Sequence, residues 1–91
     1  MTERLDPCEA IATMKGLTYF QYRNYFAAIN TFLTIDAYNL TIHDARLAGD
    51  TTKSYYTFTS ETERTQYTQG RMLLIQADPT NADLYLPVEQ I

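Results

Sequence analysis

The sequence predicts an α+β fold: a helical N-terminal half built on one long central amphipathic helix, followed by short β-strands in the C-terminal half. Three stretches predict it. Residues 17–35, LTYFQYRNYFAAINTFLTI, hold the densest apolar and aromatic content. Residues 54–60, SYYTFTS, alternate Tyr56 and Phe58 with threonines, and residues 71–77, RMLLIQA, form a short apolar run stopped by Asp78 and Pro79. The 91 residues make one domain, in which 82–91 reads as an extended C-terminal arm.

The first element is a short helix. Asp6 can cap it, with Pro7 at the first position, where a missing N–H costs nothing, and Glu9 in the first turn. Met14 and Lys15 end it, Gly16 is the stop, and Cys8, Ile11, Ala12 and Met14 supply a thin apolar face. The central helix follows directly. At roughly 100° per residue, Leu17, Tyr22, Tyr25, Phe26, Ala28, Ile29, Phe32, Leu33 and Ile35 fall on one arc of about 200°, interrupted by Thr18 and Gln21. Arg23, Asn24, Asn30, Thr31 and Thr34 take the other side. So wide an arc exceeds one packing partner, and the helix is expected to be covered by its own domain and by another subunit. A strand fits worse, because Gln21 and Arg23 break one phase of alternation and Asn24 the other.

From 36 to 50 the signals conflict. Leu40 and Ile42 alternate with Thr41 and His43 after an Asp36-Ala37-Tyr38-Asn39 turn, which suits a strand; Thr41 and Asp44 could equally open a short helix through Leu47, stopped by Gly49. The short helix is favoured. Residues 50–53 are then a polar loop and 54–60 a strand. Ser60 and Glu63 have capping-box spacing and would start a helix containing Tyr67, weakened by threonines and by Gly70. The run 71–77 can be a buried strand or the last turns of a helix that Pro79 forbids from continuing. Residues 78–81, DPTN, make a type I turn, and Leu84 and Leu86 alternate with Tyr85 and Pro87, so 71–86 is taken as strand, turn, strand. Pro87 has no N–H to donate, which makes the arm a peripheral strand whose apolar groups need a neighbour to cover.

Composition bounds the function. Eight Tyr and four Phe with no Trp resemble an interface, because a tyrosine ring gains from burial while its hydroxyl keeps a polar partner. A net charge of −4, with 11 acidic and 7 basic residues scattered singly, provides no basic patch for a phosphate backbone and argues against direct sequence-specific nucleic-acid binding. A nucleic-acid-mimicking surface requires folding to gather acids such as Glu61 and Glu63 with Asp78 and Asp83. The single Cys8 closes no intramolecular disulfide, no secretory leader is expected, and the apolar runs are too short for a membrane span.

No residue set announces a chemistry. The stretch 49–54, GDTTKS, lacks the glycine a phosphate loop needs immediately before its lysine, since Thr52 stands there. His43 beside Asp44 is a poor oriented base, because adjacent side chains diverge on a helix. One Cys and one His leave only scattered carboxylates as metal ligands. Tyr19 to Phe26 could stack on single-stranded nucleic acid, but Arg23 alone supplies charge. No catalytic, cofactor-binding or metal site, and no small-molecule substrate, is expected.

The segment GRMLLIQADPTNADLYL, seventeen of the 91 residues, resembles a strand-turn-strand segment of small virion proteins of tailed bacteriophages: an apolar strand, an A-D-P-x-N turn and a second Tyr-bearing strand. Residues 55–76 also resemble small head-tail joining proteins of the lambda type, from which Gly70 and the unclear first strand depart. The same D-P-x-N-A turn is similar to the end of a tetratricopeptide helix, but no second copy of that repeat is visible. The resemblance implies a non-enzymatic head-tail connector or neck-type component, acting as a homo-oligomeric ring. Its partners would be other copies of itself and other virion proteins, and it would reside in the virion, and in the host cytoplasm before assembly. The candidate partner-interface residues are Tyr19, Tyr22, Tyr25, Leu84, Tyr85, Leu86, Val88 and Ile91. The alternative is a small acidic phage-encoded inhibitor of a host enzyme, acting by surface mimicry.

Overall fold

Three short polar side chains start the three α-helices. In the computed structural model, which describes residues 4–85, Asp6 Oδ1 accepts the Glu9 N–H at 2.7 Å and Thr18 Oγ1 the Gln21 N–H at 3.1 Å. Ser60 Oγ accepts the Glu63 N–H at 3.1 Å. Glu9 and Gln21 reach back to the backbone N–H of their caps, so two of the caps are reciprocal boxes, and each cap contributes about 1 kcal/mol. The helices they open are α1 (Pro7–Ala12), α2 (Tyr19–Leu47) and α3 (Glu61–Ala77), followed by a 3₁₀ segment, Pro79–Tyr85.

The fold is therefore all-α, and the expected α+β class is corrected: among the described residues there is no strand and no bridge. Each expected strand has its own reason for failing. Residues 54–60 form no ladder; the Tyr56 N–H goes instead to the Asn39 side chain at 2.8 Å. The apolar run 71–77 is the end of α3, whose last turns bury Leu74 and which stops at Asp78, where Pro79 has no N–H to continue the ladder. The expected turn at 78–81 is present, with the Asn81 N–H donating to the Asp78 carbonyl at 3.1 Å, but it leads into 3₁₀ turns rather than a second strand. Of the arm at 82–91, residues 82–85 are in that segment, and 86–91 lie outside the described residues.

The central helix is longer than expected. It runs unbroken through Asp36 and Asn39, where a turn was expected, because both polar side chains are buried and served from elsewhere in the chain. Asn39 accepts the Tyr56 N–H, and the Asp36 carboxylate pairs with the Arg4 guanidinium. It is also less cleanly amphipathic than expected. Alongside these two buried polar groups, Tyr19, Phe20 and Leu47 are more than 70% exposed on the same helix.

Helices α2 and α3 run antiparallel, since Phe32 packs on Tyr67 at 4.9 Å between ring centroids while Gly70 sits against the Ala28 backbone nearer the start of α2. A side-chain carbon on Gly70 would lie 2.0 Å from the Ala28 carbonyl oxygen, so glycine here lets two backbones touch. Around that contact the core is Ala10, Ile11, Ile29, Phe32, Ile35, Tyr67, Leu74 and Tyr85, with Tyr25, Phe26, Leu33, Phe58 and Leu84 packed at its margin.

Tyr85 closes the core. Its ring is fully buried, its hydroxyl accepts the Leu5 N–H at 3.0 Å and donates to Asp78 Oδ2 at 2.9 Å, and its carbonyl accepts from Arg71 Nε at 2.7 Å. The Arg4 guanidinium lies 5.8 Å from both the Tyr85 and the Phe32 ring centroids while it pairs with Asp36. One residue thus latches both ends of the described chain onto α2 and α3.

Candidate interaction surfaces

The arc predicted for 17–35 is wider than its own domain covers. Ala28, Ile29, Phe32 and Ile35 are buried, whereas Tyr22, on the flank, is 45% exposed and Phe26 and Leu33 are only half-buried. Tyr22 stacks on Phe26 with centroids 6.4 Å apart and planes 19° apart, and the Arg23 guanidinium lies 5.9 Å from the ring of Tyr19, itself 77% exposed. Tyr19, Tyr22, Phe26 and Leu33 follow helical spacing, so they make one aromatic ridge along α2.

The predicted interface residues divide. Tyr19 and Tyr22 stand on the ridge; Tyr25 is half-buried and lines a shallow groove of about 690 Å³ with Met72 and Leu73. Leu84 packs against the core, and Tyr85 lies inside it, occupied by its own chain. Leu86, Val88 and Ile91 lie outside the described residues. Of the acidic groups that mimicry would need together, Glu61 and Glu63 stand at the start of α3 and Asp78 at its end, about 22–25 Å away at 1.5 Å per residue. His43 turns its Nδ1 to the Tyr55 hydroxyl at 2.9 Å.

A second surface was not anticipated from the sequence. Residues 48–60 return along α2 and pack through rings: Tyr38 and Tyr56 meet at 79° with centroids 6.1 Å apart, Tyr56 and Phe58 at 81°, and Phe58 and Tyr67 at 67°. Glu63 ties this loop to α3. Its Oε1 accepts the Thr59 N–H at 2.9 Å and the Thr59 hydroxyl at 3.2 Å, and its Oε2 accepts the Tyr56 hydroxyl at 2.8 Å. Beside Tyr38, Tyr56 and Glu63 lies an open groove of about 430 Å³. Nothing in the spacing of these three residues signals their meeting, because the loop conformation brings them together.

The Thr59 N–H, and after it the Tyr56 hydroxyl, hold the Glu63 carboxyl below the usual carboxylate range. A group whose folded value is depressed stabilises the fold above its ordinary value, here 4.5, and loses that contribution as pH falls through the lowered value. The melting temperature is therefore expected to fall with acidification below that point, and Glu63→Gln to flatten that part of the profile. Circular-dichroism melts across an acid series check this; an equally steep fall in the variant would assign the acid sensitivity to other carboxylates.

Among the described residues no helix is long and apolar enough to cross a membrane. Comparison with protein-family models, with curated proteins and with solved structures gives no significant match, so the functional reading rests on the chain's own geometry.

Proposed function

We propose that this chain is a non-enzymatic assembly protein that joins copies of itself through the aromatic ridge of α2. The observation that carries the reading is the uncovered flank of that helix: Tyr19 and Tyr22 are 77% and 45% exposed beside the half-buried Phe26. Aromatic side chains with polar tips favour such surfaces, since they bring large contact area at low entropic cost and tolerate water before assembly. Contiguous apolar exposure of this kind marks interaction sites on small proteins. In its narrower form the proposal keeps the ring of a tailed-phage head-tail connector or neck, with other virion proteins as further partners. That form draws on the sequence resemblance at 70–86, of which the described residues, 70–85, are helix and 3₁₀ turns.

Sedimentation velocity on the full chain tests it. The wild type is expected to form a homo-oligomer, and Tyr19→Ser/Tyr22→Ser to remain monomeric with an unchanged far-ultraviolet spectrum, because neither side chain belongs to the core. A wild type that stays monomeric with rising concentration, or a double variant that assembles as the wild type does, overturns the reading. Negative-stain electron microscopy then separates a closed ring from a simple dimer.

A further inference from the structure

The groove beside Tyr38, Tyr56 and Glu63 combines three features that suit a cation. The first is a corner of two rings, Tyr38 and Tyr56, set at 79° with 6.1 Å between centroids. Tyr38 is half exposed, so that corner is open to solvent. The second is a carboxylate at the same groove, Glu63, for which no Lys or Arg partner is present among the described residues. The neighbouring Arg64 turns away, stacking 4.7 Å from the Phe58 centroid and pairing loosely with Glu61. The third is the open space, about 430 Å³, rimmed by the polar side chains of Asn30 and Thr34.

We propose that this groove binds an organic ammonium cation, the head group of a lysine side chain or of a free alkylamine, with Tyr38 and Tyr56 as its walls and Glu63 as its counter-charge. Ring faces attract cations through their quadrupole, and both rings line the groove beside the carboxylate. The hydrogen bonds already made by Glu63 distinguish the class of cation. Its Oε1 serves Thr59 and its Oε2 serves Tyr56, so the carboxylate offers no free two-pronged edge to a guanidinium. An ammonium acts as a point charge and needs proximity rather than a fork. The same bonds hold Glu63 ionised through neutral pH, so the counter-charge is standing. On α2 the groove residues Thr34 and Tyr38 lie well round from Tyr22 and Phe26 at about 100° per residue, so this site is separate from the ridge.

The test is a titration of the full chain, followed by backbone amide shifts, with butylammonium chloride, guanidinium chloride and sodium chloride at matched ionic strength. Butylammonium is expected to give saturable shifts at Tyr56, Thr59 and Glu63, guanidinium weaker ones and sodium none. Tyr38→Ala, which removes a half-exposed ring, should weaken butylammonium by about two- to fivefold, the worth of one exposed cation–ring contact. Glu63→Gln should weaken it further. A short peptide with one lysine binding more tightly than butylammonium makes a polypeptide the source of the cation; equal affinity makes it a free amine. Shifts no larger than those from sodium chloride, or butylammonium affinity unchanged in Tyr38→Ala, overturn the proposal. The Tyr38 variant keeps the test decisive even if Glu63→Gln disturbs the start of α3.

Discussion

Gly70→Ala is expected to lower the melting temperature by about 10–20 °C, against the sense of helix propensity. Propensity alone predicts a gain of about 1 kcal/mol from alanine in a helix interior. The added carbon, however, would lie 2.0 Å from the Ala28 carbonyl oxygen, 2.6 Å from its carbon and 3.0 Å from the Ile29 nitrogen, all of them backbone atoms that cannot rotate aside. Relief requires α3 to move off α2. That movement opens the packing of Ile29, Phe32, Tyr67 and Leu74, which share the same helix interface. Overpacking of this kind costs about 1–3 kcal/mol or more, and in a domain of this size each kcal/mol moves the midpoint by about 4–8 °C. Gln69→Ala, one residue away and exposed, changes helix propensity only slightly and makes no such contact, so it controls for substitution alone. Thermal melts of the two variants decide it, and a Gly70→Ala midpoint at or above the wild type would mean that the two backbones do not touch.

Arg4→Met is expected to cost roughly 3 kcal/mol, and adding Asp36→Leu to recover most of it. The Asp36 carboxylate is fully buried, Arg4 is its one charge partner among the described residues, and neither oxygen has a further hydrogen-bond donor there. Removing the cation therefore leaves an uncompensated charge in the core, which costs about 3–5 kcal/mol in buried pairs. The lower end applies because the Arg4 side chain is 24% exposed and already shares its field with water. The methionine keeps much of the contact with the Phe32 and Tyr85 rings, so the change isolates charge from packing. Replacing both partners by apolar groups removes the unpaired charge altogether, and such exchanges are often neutral or stabilising. Urea unfolding of the two single variants and the double variant measures the coupling; equal losses in Arg4→Met and in the double variant would show that the pair carries no such penalty.

What was legible in the sequence is local chemistry. Asp6 with Pro7 and Glu9 marks the first helix start, Ser60 with Glu63 the third, and the DPTN turn is where it was read. What misled was every residue whose reason lies far along the chain. Gly70 reads as a weakness in a helix until Ala28 is seen against it. Asp36 and Asn39 read as a turn because their partners, Arg4 and the Tyr56 N–H, belong to segments that only the folded chain brings to α2. The β-like alternation of Tyr56 and Phe58 is real as a pattern of inward rings, but it serves a loop lying on a helix rather than a ladder. The candidate sites divide in the same way. Tyr19 and Tyr22 stand out as an exposed pair on one helix, whereas the Tyr38, Tyr56 and Glu63 groove comes from three separate segments and leaves no mark in the sequence.

The unequal lengths of the two long helices give the molecule two ends that are covered differently. Phe32 meets Tyr67 and Ala28 meets Gly70, so α3 shields the first two-thirds of α2, where both termini of the described chain are also latched. Past Asp36 the last turns of α2, roughly 16 Å of helix, are shielded by the returning loop 48–60. That loop is held by bonds from Tyr56 to Asn39, Tyr55 to His43 and Arg46 to the Lys53 carbonyl, by the Thr59 and Tyr56 bonds to Glu63, and by its ring contacts. Surface segments without a ladder come from the low-stability end of a fold, so the amides of 48–60 are expected to exchange before those of the α2–α3 core. Because Tyr56 is both a clip of the loop and a wall of the ammonium groove, each opening of the loop dismantles the site, and a cation held there keeps the loop closed.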